Sequence, residues 1–160
     1  VGYGQTNDAH GLTAPSSEGT HYARAIRLAL KEGDLQPADI AYFSLDGRAI
    51  PSSDQGEVAA LQVVFENAHI PVSVPRTMLG HSYAAAGALD TITALLSLKH
   101  GLIPPTINCE EMNPDYGLNL VRDKARAIPP LDTEQTPQAV LIGGRGVGGA
   151  NVVLAIKQVV

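Results

Sequence analysis

One histidine stands where the chain turns into a long helical stretch. His81 follows Gly80 and precedes small residues and leucines that run from 82 to 100. Glycine permits the sharp turn, and the first turn of a helix presents backbone N–H groups without helical partners. An imidazole placed there can donate a hydrogen bond to an oxygen that gains negative charge. The alternative interpretation is a histidine that caps or packs against the helix end.

The other side chains that could carry chemistry form weaker patterns. Cys109 has no histidine or aspartate in a triad-like context, which favours a buried or loop thiol over a nucleophile. The remaining histidines lack the spacing of a zinc site, and the sequence predicts no metal; they are His10, His21, His69 and His100.

The segment from Gly144 to Gly149 matches the G-x-G-x-x-G pattern of dinucleotide-binding proteins. That function needs a helix after the glycines and an acidic residue about 20 positions later. The segment 151–156 instead has the composition of a strand. We therefore predict a tight turn, where two backbone segments approach a ligand or another strand.

Hydrophobic periodicity assigns these residues to strands and helices. The predicted strands are 39–45, 72–75, 103–108, 118–121, 139–143 and 150–159, and the predicted helices are 20–33, 54–67 and 82–100. Residues 1–8 are predicted to be a strand or a glycine-rich loop. The third helix is apolar on most sides, which predicts that it is buried. This order indicates a mixed α/β layered domain.

Bulk composition limits the function classes. A length of 160 residues fits one domain, 1–160, and the net charge of −5 excludes a general affinity for nucleic acid or an anionic membrane. No run of about 18 apolar residues predicts a membrane span. A single cysteine excludes an internal disulfide and fits the cytoplasm. The start at Val1, without methionine or a signal-peptide pattern, suggests a piece of a longer polypeptide.

Four segments, in this order, resemble the C-terminal half of β-ketoacyl synthases of the thiolase superfamily. They are 2–9 with 13–15, 46–50 with 54–61, 74–81 with 84–87 and 100–106, and 146–151. The resemblance implies the second half of a thiolase-like layered αβαβα fold, with a mixed sheet and a buried central helix. It also implies that the N-terminal half, which carries the family's nucleophilic cysteine, is missing from this chain. No cofactor is implied.

One departure from the family falls on a catalytic position. The segment Asp46-Gly47-Arg48-Ala49-Ile50 stands where active ketosynthases have a motif that resembles His-Gly-Thr-Gly-Thr. Asp46 therefore replaces a histidine that, in the family, helps to stabilise the enolate formed by decarboxylation. A carboxylate there would place negative charge where an anion forms, which opposes the reaction.

Neighbouring positions are partly kept. Arg76 stands at the family's lysine position, with the same charge but a different geometry. Asp54 and Glu57 match the family's Asp-x-x-Glu pattern, and we expect Glu57 to pair with Arg76 as structural support. Val147 stands where the family usually has phenylalanine.

A ketosynthase relative without catalytic residues resembles the chain-length factor, or ketosynthase β subunit, of type II polyketide synthases. Such a subunit pairs with an active ketosynthase and shapes the polyketide tunnel. His81 would then be a retained wall residue, beside the turn formed by Gly146, Val147, Gly148, Gly149 and Asn151.

Two alternatives remain open. One is the C-terminal half of an active condensing enzyme that uses His81 with a cysteine from the missing half, although such an enzyme should have histidine at position 46. The other is a pure scaffold without ligand contact. It is distinguished from the first two functions by asking whether the Val147 turn and the Met112 region line a cavity.

Three basic residues alternate in a short stretch near the end of the chain. Arg122, Lys124 and Arg126 are interpreted either as a solvated strand edge or as a docking spot for an acidic acyl carrier protein.

Overall fold

A mixed sheet with helices on both faces organises the chain. The computed structural model describes residues 1–66, 69–128 and 139–158. The strands are β1 (Gly2–Asn7), β2 (Ile40–Ser44), β3 (Pro71–Ser73), β4 (Leu102–Ile103), β5 (Asn119–Leu120), β6 (Arg126–Ala127), β7 (Ala139–Arg145) and β8 (Ala150–Lys157). Six of them form one sheet in the order β1-β8-β7-β2-β3-β5, and β4 pairs with β6. The β1–β8 and β8–β7 pairs are antiparallel, whereas β7–β2, β2–β3 and β3–β5 are parallel.

Three α-helices cover the two faces of this sheet. They are α1 (Thr20–Glu32), α2 (Pro51–Phe65) and α3 (Ala86–His100). Because side chains alternate along a strand, β7 contributes Leu141 to the core beneath α1 and α2, and Val140 and Ile142 to the core beneath α3. The predicted mixed α/β layered arrangement is confirmed.

The glycine-rich start of the chain is required by close packing. A Cβ atom on Gly4 would lie 1.9 Å from the backbone oxygen of Ala25 in α1. Only glycine lets β1 approach the helix this closely.

The predicted burial of helix 82–100 holds for one side of the helix in the described residues, and its other side is exposed. Ala94 and Leu98 face the sheet, but Ile92, Leu95 and Leu96 are 54, 51 and 49% exposed. An all-round apolar helix is buried only when a second layer covers its outer side, and the residues that the structure describes supply one layer.

Several predicted boundaries also shift. The third helix begins at Ala86 instead of 82, after a 3-10 turn whose first residue, Tyr83, has a φ of 49°. The predicted strand 103–108 ends at Ile103, because Pro104 and Pro105 have no N–H to donate. The second helix begins at Pro51, where proline suits the first helical turn.

Two further differences concern single elements. Strand β6 was not predicted at all, since two residues carry no periodicity. Residue 67 of the predicted helix 54–67 and residue 159 of the predicted strand 150–159 lie outside the described residues. None of the helices in the described ranges is long and apolar enough to cross a membrane.

Candidate functional site

An open cavity of about 490 Å³ brings distant segments of the chain together. It is lined by the Asp46 turn after β2, by Arg76, by His81 and by Val147 from the β7–β8 turn. Parallel strands carry their following loops to one edge of the sheet, which explains why the segments after β2 and β3 meet here. Most of the wall is apolar or small, including Val152 and Leu154 of β8.

Asp46 is buried in this cavity wall and forms an ion pair. Its Oδ1 accepts a hydrogen bond from Arg76 Nη1 at 2.6 Å, and its Oδ2 lies 3.1 Å from Arg48 Nε. Arg76 Nη2 donates to Asp90, which lies on α3. The two arginines thus balance the two aspartates, and the charge of Asp46 is neutralised instead of directed at the cavity.

The predicted Glu57–Arg76 pair does not form. Glu57 accepts backbone N–H bonds from Asp46 and Gly47 at 2.9 and 3.0 Å, and a hydroxyl bond from Tyr22 at 3.3 Å. The pair does not form because Glu57 lies behind the Asp46 turn, whereas Arg76 approaches this turn from the cavity side. Glu57 therefore fixes the turn and does not line the cavity.

Burial changes the pKa of both carboxyls on α2. Removal from water, together with the negative charge of Asp46, raises the pKa of Glu57 to about 7, against the opposing effect of its backbone donors. Burial likewise raises the pKa of Asp54, which accepts the backbone N–H of Arg48 at 3.0 Å. Both groups support the Asp46 turn from behind.

His81 caps the turn before α3 with one of its ring nitrogens. Its Nδ1 accepts the backbone N–H of Tyr83 at 3.0 Å, and the two rings lie 5.0 Å apart. In a neutral imidazole the proton is then on Nε2, which is the atom free to donate. The side chain is exposed and lines the cavity, so capping and donation are compatible.

The β7–β8 turn is held by buried polar groups, of which Asn151 was a predicted turn residue, whereas the roles of Asp8 and Arg145 were not predicted. Asn151 is fully buried and donates to Asp8 Oδ1 at 2.7 Å. Arg145 donates to the backbone oxygens of Ser53 and Ser16 at 2.7 and 2.9 Å. An arginine that ends an apolar strand, as Arg145 does, was the available signal, since a charge there needs buried partners.

The predicted turn residues do not all reach the cavity. Gly146 and Val147 line it, and Val147 is 70% exposed. Gly148 has a φ of 78°, and Gly149 is buried against Asp8, so both shape the turn instead. The glycines are followed by strand β8, which is antiparallel to β7. A dinucleotide-binding motif would need a helix at this place.

The remaining candidates lie away from the cavity. Arg122 and Lys124 are exposed, whereas Arg126 is half-buried and donates to Asn119. Cys109 is a half-buried free thiol, and Met112 lines a different, smaller cavity. In the parts of the chain that the structure describes, no cluster of His, Cys, Asp and Glu could hold a metal ion.

The fold and the cavity define the C-terminal half of a thiolase-like ketosynthase. Residues 1–110 match the family described as "Beta-ketoacyl synthase, C-terminal domain", and the chain belongs to that family.

Two curated relatives cover nearly the whole chain. It is 37% identical over 159 residues to the tetracenomycin polyketide synthase ketoacyl synthase beta subunit of Streptomyces glaucescens, covering 99% of the chain and 36% of that protein. It is 34% identical over 160 residues to 3-oxoacyl-[acyl-carrier-protein] synthase 2 of Staphylococcus aureus (strain COL), covering 99% and 37%. The chain thus spans little more than a third of the length of these relatives.

Two solved structures share the fold. The ishigamide ketosynthase/chain length factor has a TM-score of 0.88 and 34% identity, covering 99% of this chain and 37% of that chain. A type II polyketide synthase acyl-carrier protein in complex with its ketosynthase bound to the hexaketide has a TM-score of 0.90 and 27% identity, covering 99% and 38%.

Proposed function

We propose that this chain is part of a non-catalytic, chain-length-factor-like subunit of a cytoplasmic type II polyketide synthase. In that role it pairs with an active ketosynthase and forms part of the wall of the polyketide tunnel. The observation that carries the proposal is the buried Asp46–Arg76 ion pair. A carboxylate bound to a guanidinium cannot offer the neutral N–H donor that a histidine would supply at this position.

The cavity wall supports a tunnel role over that of a pure scaffold. It combines the apolar side chains of Val147, Val152 and Leu154 with small residues that leave room for a chain. The tetracenomycin beta subunit and the ishigamide ketosynthase/chain length factor, both similar over nearly all of this chain, favour the same interpretation.

Two partners follow from the uncovered surfaces. We propose that an N-terminal half covers the exposed side of α3, where Leu95 and Leu96 are about half exposed. The exposed Arg122 and Lys124 are the proposed contacts for an acyl carrier protein, which is acidic. Arg126 is not included among these contacts, because its guanidinium donates a hydrogen bond to Asn119.

A second candidate function rests on His81. Its Nε2 proton faces no partner in the described residues, and the chain is 34% identical to 3-oxoacyl-[acyl-carrier-protein] synthase 2. Under this alternative, the chain is the C-terminal half of an active condensing enzyme that lacks one histidine.

The two functions differ in which protein supplies the nucleophile: the partner ketosynthase in the first, and the polypeptide that carries this chain in the second. The polypeptide that carries this chain is produced with a type II ketosynthase and a malonyl-loaded carrier protein, and chain extension is measured. We expect extension only when both proteins are present, and complete loss when the ketosynthase cysteine is replaced by alanine. Extension by the polypeptide without the ketosynthase would overturn the proposal and establish the enzyme.

A further inference from the structure

A second cavity lies behind the Asp46 turn, on the side away from the open cleft. Its volume is about 150 Å³, and it has no lining residue in common with the cleft. Six apolar side chains form most of its wall: Leu45, Val58, Val74, Met112, Leu118 and Leu120. Gly47 and Glu57 also line it, and the Gly47 N–H donates to Glu57 Oε2 at 3.0 Å.

Three polar residues of this inner chamber, Thr77, Thr106 and Glu57, have hydrogen-bond partners among the described residues. Thr77 Oγ1 donates to the backbone oxygen of Val74 at 2.9 Å and accepts the N–H of Ile107 at 3.1 Å. Thr106 Oγ1 accepts the N–H of Val74 at 2.9 Å, and both Glu57 oxygens accept backbone donors. The other polar lining residues, Asp54, Asn108, Cys109 and Tyr116, lie at its opening, where they also line an outer groove. The inner end therefore offers a buried water few of the two to four polar partners it needs, and favours an apolar occupant of about the size of benzene.

The chamber opens to solvent through an acidic groove. Asp54 and Cys109 line both spaces, and Glu110 and Glu111 line the groove alone. These three carboxylates outnumber the guanidinium of Arg122, whose Nη1 lies 3.5 Å from the backbone oxygen of Cys109. The entrance therefore disfavours an anionic molecule by Coulomb repulsion and does not repel a neutral or cationic one.

We propose that the inner chamber binds a small aromatic molecule of neutral or positive charge, which enters past Cys109. The site is separate from the polyketide cleft and does not depend on the function proposed above. Because Glu57 holds the backbone amides of Asp46 and Gly47, an occupant of the chamber contacts the rear of the wall that carries Asp46.

Three probes of one shape and different charge test the proposal: toluene, benzylamine and benzoate. Each is added to the polypeptide that carries this chain, and alkylation of Cys109 by iodoacetamide is followed by mass spectrometry of the Cys109 peptide. At ten times its dissociation constant, a ligand that covers the thiol slows alkylation about tenfold. We expect toluene and benzylamine each to slow alkylation to this extent, and benzoate to bind at least about tenfold more weakly.

Two variants on α2 provide the matched control. Val58 lines the chamber, whereas Val63 is 55% exposed on the outer side of the same helix. Val58→Phe should fill the chamber and abolish protection, and Val63→Phe should leave it unchanged. If Val58→Phe does not fold, Leu120→Ala enlarges the chamber and should extend protection to naphthalene. Absent protection by toluene, equal binding of benzoate, or protection that persists in Val58→Phe would each overturn the proposal.

Discussion

The guanidinium of Arg76 joins Asp46, 30 residues earlier, to Asp90, 14 residues later, and all three side chains are buried. Under the proposed function, Asp46 occupies the position at which the family resemblance implies a catalytic histidine, and Arg76 the position at which it implies a lysine. Each side chain has a second charged partner, since Arg48 Nε lies 3.1 Å from Asp46 and Asp90 accepts a hydrogen bond from Arg76. With Arg48 and Asp90 they form a charge-balanced, hydrogen-bonded part of the cavity wall.

Removing Arg76 should destabilise the protein more than removing one of its partners. Arg76→Met leaves Asp46 and Asp90 buried without their shared cation, which we expect to cost about 3–5 kcal/mol. Asp46→Asn leaves the Arg76–Asp90 contact in place and should cost less. Urea denaturation of the polypeptide that carries this chain measures both, and equal stability of Arg76→Met and the wild type would contradict the ion-pair account.

Restoring histidine at position 46 should not create condensation activity. In Asp46→His the new imidazole would face the guanidinium of Arg76, now balanced on this side by Asp90 alone, and the required cysteine lies elsewhere. Acyl transfer is assayed in the assembled complex after the partner ketosynthase has lost its nucleophile. Any turnover above that of the matched Asp46→Asn complex would refute the non-catalytic interpretation.

His81→Ala should affect the helix start more than any chemical step. Because the imidazole is exposed, losing its hydrogen bond to Tyr83 should cost only about 0.5–1.5 kcal/mol, less than a buried histidine would. His81→Asn is the control, since its side-chain oxygen can accept the same N–H. Turnover of the assembled complex should change little in both variants, and a thousandfold fall at normal melting temperature, on the order of 4 kcal/mol, would favour the enzyme.

Glu57 should make stability depend on pH between about 4.5 and 7. Its folded pKa is raised from 4.5 to about 7, chiefly by burial, so the folded state binds the proton more tightly than the unfolded state. The resulting stability is fully present below pH 4.5 and is lost as the pH rises through 7.

Glu57→Gln isolates this effect, because glutamine resembles the protonated acid at every pH. The melting temperature of the variant relative to wild type should therefore rise from pH 5 to pH 8, by an amount equivalent to about 3 kcal/mol. A difference that is constant across this range would show that Glu57 titrates normally in the fold.

The isolated 160-residue chain should associate or aggregate instead of melting as a monomer. Ile92, Leu95 and Leu96 form an exposed apolar stripe on α3. Replacing Leu95 and Leu96 with glutamate should increase the monomeric fraction in analytical ultracentrifugation. Leu28→Glu, at a 37% exposed site on α1, serves as the control and should not. A sharp, cooperative melt of the monomeric wild-type chain would contradict this prediction.

The sequence by itself determined the layered α/β class and most of the elements. The 3.6-residue pattern of one-sided burial located α1 to within a residue. Short apolar runs located β2 and β7, which are buried on both faces. The sequence also identified His81, Asp46 and the β7–β8 turn, since ordered motifs keep their residue types and spacing along the chain.

Only the tertiary structure decided which charges meet. The pairing of Arg76 with Asp46 and Asp90, and of Glu57 with two backbone amides, depends on how β2, β3 and the helices are placed around the sheet. The exposure of α3 likewise depends on what covers it, since the same apolar helix is buried or open according to its neighbours. Contacts between segments far apart in sequence carry no local pattern, so the inner chamber and the buried Arg145 network emerged only from the fold.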